Sequence, residues 1–148
     1  MKNFALLAFV LVLTACGTTG PLNLSKLDEP IPAGKARVVI TRDSSLLYLA
    51  AAADVRSNGI KIASLGRGGS IIQDLAKGQN TLSVSTPTAS GQFVVSFNAK
   101  AGKTYNFEVS PRSGALVTGS AWGMMGDAIH ASVSEQSGYF QIDLKDTK

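Results

Sequence analysis

The residue with the most distinctive chemistry in this sequence is Cys16, the only cysteine of the 148-residue chain. Lys2 places a positive charge near the start, residues 4–13 form an uncharged apolar run, and the small residues Thr14 and Ala15 precede the cysteine. This order is typical of a secretory signal segment, and the apolar run is too short to span a bilayer. A lone thiol in a secreted protein has no internal disulfide partner, so a modification that consumes its sulfur is the favoured interpretation.

Residues 13–16, Leu-Thr-Ala-Cys, resemble the lipobox of bacterial lipoproteins. The resemblance implies that residues 1–15 are removed and that the Cys16 sulfur carries a diacylglycerol, usually with a third acyl chain on the new α-amino group. Two or more chains give stable anchoring, because each buried methylene contributes about 0.8 kcal/mol. Gly17 stands where an aspartate commonly signals retention in the inner membrane of Gram-negative bacteria. The resemblance therefore implies an outer-membrane protein, which we expect on the periplasmic side, although the sequence does not encode that side.

A catalytic site can be drawn from two sets of residues. His130, the only histidine, has Asp127 nearby and many serines elsewhere, but no G-x-S-x-G elbow positions a nucleophile, so a loop or surface histidine is favoured. Asp54, Asp74 and Glu108 could converge as paired carboxylates for glycoside hydrolysis, although any β-rich surface offers such pairs. An envelope hydrolase that uses a carboxylate or His130 site therefore stays as the alternative function.

No metal or cofactor site is predicted. The chain has one histidine, its cysteine is expected to be consumed, and its carboxylates lack calcium-loop spacing. Residues 66–69, Gly-Arg-Gly-Gly, could cradle an anion on backbone amides with Arg67 assisting. The segment lacks the Gly-Lys-Ser/Thr ending of a phosphate loop and lies between two predicted strands, so a turn is the favoured interpretation.

The charge balance is mildly basic, with 14 Lys and Arg against 10 Asp and Glu and a formal net charge of +4. The basic residues are scattered along the chain, and no run of them forms a patch. No aromatic-interleaved basic stripe or nucleic-acid-binding motif is present, so a nucleic-acid partner is not predicted. The composition instead predicts a solvated, weakly cationic surface with some attraction to anionic lipid or polymer.

The sequence divides into a signal segment at 1–15, a lipidated N-terminus and flexible tether at 16–34, and one domain at 35–148. Three prolines and three glycines without periodicity indicate the tether. From residue 36 onward apolar and polar residues alternate, which is typical of an antiparallel sheet with one buried face. The alternation is clearest at Val38 and Ile40, Leu82 and Val84, Phe93 to Phe97, Tyr105 to Val109 and Phe140 to Leu144. Short strands at this spacing predict an all-β fold, a β-sandwich or small barrel of about seven to nine strands, of which we take the antiparallel β-sandwich.

Three turns support this interpretation. Asn58-Gly59 between two apolar runs predicts a two-residue type I′ hairpin. Residues 77–80 separate two strands, and residues 100–103 join two aromatic strands, so that aromatic residues could pair across the turn. The segment 44–53 has good helix formers behind a serine, and it is either a short helix or a strand.

The run from Val55 to Val84 looks like the PEGA-type and transthyretin-like modules, since Asn58-Gly59 and a Gly-rich turn precede Gly78 and Thr81-Leu82-Ser83-Val84. Residues 34–110, which include Gly34-Lys35-Ala36-Arg37-Val38 and Ala101-Gly102-Lys103-Thr104-Tyr105, more closely resemble an uncharacterised family of proteobacterial lipoproteins. The resemblance implies a sandwich fold and an envelope compartment. It implies no catalytic residues.

Residues 115–129 depart from the strand alternation and contain the only tryptophan, Trp122, beside Met124 and Met125. Either the segment folds over one end of the sandwich with its tryptophan in the core, or it contacts a partner, because these residue types are enriched at interfaces. The sequence as a whole predicts a binding or structural module of the cell envelope. It would be held to the membrane by its lipid anchor, with an envelope protein as a candidate partner.

Overall fold

A computed structural model describes residues 24–48, 50–112 and 132–148. Within these residues no helix is long and apolar enough to cross a membrane. They form one short helix and nine strands: α1 Leu24–Asp28, β1 Lys35–Arg42, β2 Ala53–Ser57, β3 Ile60–Leu65, β4 Ser70–Ala76, β5 Gly78–Thr86, β6 Ala89–Ala99, β7 Thr104–Pro111, β8 Ser132–Gln136 and β9 Phe140–Thr147.

The strands form two sheets, with the orders β4-β1-β7-β9 and β3-β2-β5-β6-β8. All neighbouring strands are antiparallel except β1 and β7, which run parallel. The inner faces of both sheets contribute to one hydrophobic core. The predicted all-β sandwich is confirmed, and the parallel pair at the centre of the smaller sheet is a feature that the alternation pattern did not indicate.

The core is built from the alternating residues that the sequence pattern singles out. Ala36, Val38 and Ile40 on β1 are buried in it, as is the Phe93 to Phe97 series on β6. On β7 the buried residues Tyr105, Phe107 and Val109 alternate with partly exposed polar ones. Because successive side chains of a strand point to opposite faces, one such register fills the core and leaves the other face polar.

The Asn58-Gly59 turn has the predicted type I′ geometry, since both residues have positive φ angles, 49° and 82°. Asn58 also ties this hairpin to β5. Its backbone N–H donates to the Thr81 carbonyl at 2.8 Å, and its side-chain oxygen accepts from the Thr81 N–H at 2.9 Å. The turn is therefore fixed to the neighbouring strand as well as closed by its own backbone.

Two predicted connections take a different form. A four-residue connection was predicted at 77–80, but β4 ends at Ala76 and β5 begins at Gly78, so that only Lys77 lies between the two strands. Residues 100–103 join strands of different sheets, so the aromatic contacts form across the core rather than between hydrogen-bonded neighbours. Phe97 lies 5.2 Å from Tyr105 and 5.1 Å from Phe107 between ring centroids.

The described residues of the segment 44–53 form neither of the predicted structures. They make a turn-rich connection that crosses from one sheet to the other, and only Ala53 lies in a strand. Helix α1 lies within the predicted tether and packs on the domain: the Lys26 ammonium donates to the Ile72 carbonyl at 3.2 Å. The polar backbone groups at Lys26 and Glu29 accept hydrogen bonds from the buried Arg37.

Candidate functional site

Several residues singled out by sequence lie outside the described part of the structure. They are Cys16, Gly17, Trp122, Met124, Met125, Asp127 and His130. Lipidation at Cys16, sorting through Gly17 and partner contact through Trp122 with its methionines stay predictions. The same holds for a site at His130.

The three carboxylates considered for hydrolysis do not come together. Asp54 lies on β2 of the five-stranded sheet, while Asp74 and Glu108 lie on β4 and β7 of the other sheet. Each has its own cation: Asp74 pairs with Arg37, Asp54 with Lys61 and Glu108 with Lys145, at 2.8, 2.9 and 3.0 Å. The described residues hold no group of three or more His, Cys, Asp or Glu side chains that could bind a metal ion.

These pairings set the protonation behaviour of two carboxyls. Hydrogen bonding from Arg37 lowers the pKa of Asp74, against the opposing effect of burial. Burial acts to raise the pKa of Asp54, but hydrogen bonds from Ser64 and Lys61 outweigh it and keep the value below its usual range. Both carboxyls are thus stabilised as anions, which suits structural ion pairs and not a general acid.

The Gly66–Gly69 segment is a turn, as favoured, and two of its amides donate to carbonyls of the protein. Gly69 N–H donates to the Gly66 carbonyl and Gly68 N–H to the Asp43 carbonyl, at 2.9 and 3.2 Å. The Arg67 guanidinium donates through Nε to the Ser44 carbonyl at 2.7 Å. The turn therefore braces the connection that follows β1.

The most unusual buried group is Arg42, at the C-terminal end of β1. Its position in the β1 alternation points it to the inner face, and it is 1% exposed. Nη1 donates to the carbonyls of Ala51 and Leu65 at 2.5 and 2.9 Å, and Nη2 donates to the Tyr48 carbonyl at 3.0 Å. The guanidinium carbon lies 4.6 Å from the centroid of the Phe140 ring. A buried cation is thus held by backbone carbonyls and an aromatic face, and no carboxylate of the described residues is among its hydrogen-bond partners.

The electrostatics of Arg42 follow from this environment. Burial lowers the pKa of the guanidinium, and the charge of Asp43 opposes that effect. The arginine nonetheless stays protonated, because a guanidinium is not deprotonated in proteins. The Nε atom is buried without a hydrogen-bond partner. The side chain therefore organises the connection between β1 and β2 at a desolvation cost.

What Arg42 organises is an exposed aromatic pair. Tyr48, in that connection, and Tyr139, just before β9, stack with centroids 4.7 Å apart and planes 8° from parallel. Tyr48 has a φ angle of 56°, which non-glycine residues adopt at a cost and which is concentrated at functional positions. The carbonyl bond from Arg42 helps to hold this conformation.

Two leucines extend the pair into a surface, which we call the aromatic end: Leu46, Leu47, Tyr48 and Tyr139. Their exposed fractions are 69, 58, 38 and 40%. Of the five large hydrophobic side chains that are exposed among the described residues, these are four. The fifth, Ile60, lies in the β2–β3 hairpin and is 72% exposed.

The turn that carries Tyr139 is fixed by a close approach to the start of β6. Ser137 Oγ accepts from the Gln92 N–H and donates to the Gln92 carbonyl, both at 3.0 Å. A Cβ atom at Gly91 would lie 2.8 Å from the Gly138 nitrogen, and both glycines have positive φ angles. Only glycine fits this contact without displacement, so the position of Tyr139 depends on it.

The aromatic end was not predicted from the sequence. One signal was available: continuing the β1 alternation through Val38 and Ile40 puts Arg42 on the buried face, where an arginine needs specific partners. The partners themselves lie on three other chain segments. The arrangement offers rigid apolar and aromatic surface with two hydroxyl groups, which is suited to binding. No protein-family model matches this chain, and no curated protein matches it in sequence.

Proposed function

We propose that this chain is a lipid-anchored protein of the Gram-negative cell envelope and that its β-sandwich is a binding module for an envelope protein. The observation that supports binding is the aromatic end, where two leucines and a stacked tyrosine pair are exposed together. The anchor rests on the lipobox-like sequence that ends at Cys16.

The composition of the aromatic end favours a protein partner. Aromatic residues are enriched at the buried centres of interfaces, and a tyrosine provides a large contact area for few rotatable bonds. Stacking fixes the two rings before any partner arrives, so little side-chain freedom remains to be lost on association. The position of Tyr48 at positive φ shows that the fold sustains a local backbone cost at this point.

Photo-crosslinking in cells tests the binding surface. A photo-reactive amino acid placed at Leu47 should form protein adducts, whereas the same group at Ile60, which is also apolar and even more exposed, should not. Adding Tyr139→Ala should remove the Leu47 adducts while the protein level stays constant. Equal adducts at Leu47 and Ile60, or none at Leu47, would contradict a specific interface at the aromatic end.

Mass spectrometry of the membrane-extracted protein tests the anchor separately. The N-terminal peptide should begin at Cys16 and carry acyl chains, and a Cys16→Ala variant should lack them. Density fractionation tests the sorting: a Gly17→Asp variant should move toward the inner membrane while the unaltered protein stays with the outer one. An unmodified Cys16 would refute the anchor, and identical fractionation of the two proteins would refute the sorting.

A further inference from the structure

The end of the sandwich opposite the aromatic end gathers five lysines from four separate chain segments. We call this surface the lysine end; it comprises Lys35, Lys77, Lys100, Lys103 and Lys148. Every one of these residues is exposed. They mark the start of β1, the β4–β5 connection, the β6–β7 turn and the residue after β9.

Backbone hydrogen bonds connect these segments directly. Lys77 N–H donates to the Gly34 carbonyl at 3.0 Å, and Gly102 N–H donates to the Lys35 carbonyl at 2.8 Å. Lys103 N–H donates to the Lys100 carbonyl at 3.2 Å. Lys148 exchanges two backbone bonds with Thr104, at 2.9 and 3.0 Å, so that it lies beside Lys103. The five lysines therefore surround one end of the two sheets.

Few negative charges compensate this surface. Among the described residues, the ion pairs involve Arg37, Lys61 and Lys145, and none of the five lysines. Asp146 is exposed near Lys148, and its carboxylate accepts from the Thr147 N–H at 2.7 Å. Asp28 and Glu29 are exposed on the segment before β1. The lysine end thus keeps a net positive charge.

We propose that the lysine end docks on the anionic phospholipid surface of the membrane in which the chain is anchored. The inference rests on the proposed function, since the anchor supplies that membrane. Clusters of four to eight basic residues beside a membrane attachment bind anionic headgroups, with about 1 kcal/mol for each lysine near the surface. A lipid anchor and a polybasic surface are complementary signals for stable attachment.

The connection to the anchor is consistent with this placement. Cys16 and Leu24 are eight residues apart, a separation that spans at most about 26–29 Å. Helix α1 begins at Leu24, and its Lys26 carbonyl accepts a hydrogen bond from Arg37, two residues from Lys35. An anchor at Cys16 is therefore within reach of the plane of the lysine end.

Docking in this way orients the binding surface. Strand β1 runs from Lys35 at the lysine end to Arg42 beneath the aromatic end. The seven intervals between these two residues, at about 3.3 Å each, place the two ends roughly 23 Å apart. With the lysines on the headgroups, the aromatic end faces away from the membrane and toward a partner.

Amine footprinting of the membrane-extracted, full-length mature protein tests the proposal. The acylated Cys16 is verified by mass first, so that a negative result counts against the lysine end and not against the anchor. The protein is incorporated into vesicles of phosphatidylcholine, alone or with phosphatidylglycerol, and briefly acetylated. We expect acetylation of the five lysines to be about fivefold slower with phosphatidylglycerol, the factor to which 1 kcal/mol per lysine corresponds.

Two comparisons make the result specific. Lys61, exposed on β3 and paired with Asp54, should react equally in both vesicles. Protection should disappear at ~1 M salt, where the screening length is only ~3 Å. In a Lys100→Gln, Lys103→Gln variant, Lys35 and Lys77 should lose most of their protection. Equal reactivity in both vesicles, or equal protection of Lys61, would overturn the proposal. Protection by free inorganic phosphate in phosphatidylcholine vesicles would also overturn it and assign the lysines to a soluble anion.

Discussion

Tyr48 and Tyr139 stack with their ring centroids 4.7 Å apart, although they lie in different connections of the sandwich. Tyr48 also meets the Phe140 ring edge-on, at 5.8 Å and 73°. Phe140 in turn lies against the Arg42 guanidinium, which hydrogen-bonds the Tyr48 carbonyl. A buried cation and an exposed aromatic pair therefore form one connected unit.

A double-mutant cycle measures the stacking. Tyr48→Ala and Tyr139→Ala should each destabilise the protein, and the double variant should cost less than their sum by about 0.5–1.5 kcal/mol, because the second change removes a contact already lost. Urea unfolding of the unaltered protein, the two single variants and the double variant gives the coupling free energy between the rings. Strict additivity would show that the rings do not interact in solution.

The backbone at Tyr48 makes a separate prediction. Tyr48→Gly and Tyr48→Ala both delete the ring, but glycine tolerates a φ angle of 56° and alanine does not. The glycine variant should therefore be the more stable of the two by about 1 kcal/mol, although glycine has the more flexible unfolded chain. A more stable alanine variant would contradict the positive φ angle.

Replacing Arg42 by methionine should destabilise the protein by about 2–4 kcal/mol, because three carbonyl oxygens each lose the hydrogen bond that the guanidinium donates. The Ala51 N–H donates to the Tyr48 carbonyl, which Arg42 also holds, so hydrogen exchange at this amide should be faster in the variant. Arg56→Met is the matched control: Arg56 is half-buried on the outer face of the other sheet and donates to Ser85 Oγ. It should cost within about 1 kcal/mol. Similar losses for both variants would contradict the organising role of Arg42.

The Arg37–Asp74 pair makes stability depend on acidity. The pKa of Asp74 is lower in the folded protein than in the unfolded chain, mainly through the hydrogen bond from Arg37. The contribution of the ionised Asp74 to stability is therefore fully present above its unfolded pKa of about 3.8 and is lost as the pH falls through the folded pKa. The free energy of unfolding is measured with denaturant between pH 7 and pH 2. It should fall less steeply with decreasing pH in Asp74→Asn than in the unaltered protein.

Asp143 provides the comparison of opposite sign. Asp143 lies on β9, opposite Glu108 on β7. Burial raises the pKa of Asp143, while the charge of Lys145 and a hydrogen bond from Gln141 act to lower it. A raised pKa means that the ionised carboxyl destabilises the folded state near neutrality. Asp143→Asn should therefore raise the midpoint of thermal unfolding at pH 7, and this gain should shrink as the pH is lowered. If stability depended on pH in the same way in Asp74→Asn and Asp143→Asn, the opposite pKa shifts assigned to Asp74 and Asp143 would be refuted.

The alternation on β7 can be tested at two adjacent residues. Phe107→Ala should cost about 3–5 kcal/mol, since the buried ring contacts Phe97 across the core and its removal leaves a cavity. Glu108→Ala should cost within about 1 kcal/mol, because its pairing with Lys145 is partly exposed. Thermal or urea unfolding distinguishes the two. Equal losses would mean that β7 does not bury one face.

The sequence by itself determined most of the strands and the buried face of each of them. Period-two alternation through Val38 and Ile40 requires one face of β1 to be buried, and Asn58-Gly59 requires a type I′ turn, since both are local consequences of backbone geometry. Apart from the β2–β3 hairpin, it could not determine which strands are neighbours. The turn at residues 100–103 was expected to pair aromatic residues within a sheet, but it joins two sheets and sets Phe97 against Tyr105 across the core.

Only the tertiary structure decided the aromatic end and the lysine end. Lys35, Lys77 and Lys148 look scattered in the chain, and they share a surface because antiparallel strands return every second connection to the same end of the sandwich. The segment at 44–53 has helix-forming residues, yet the bonds from Arg42 draw its carbonyls inward and bring Tyr48 to Tyr139. Local preference amounts to less than 1 kcal/mol per residue, whereas a buried charge without partners costs several, so the long-range contacts prevail.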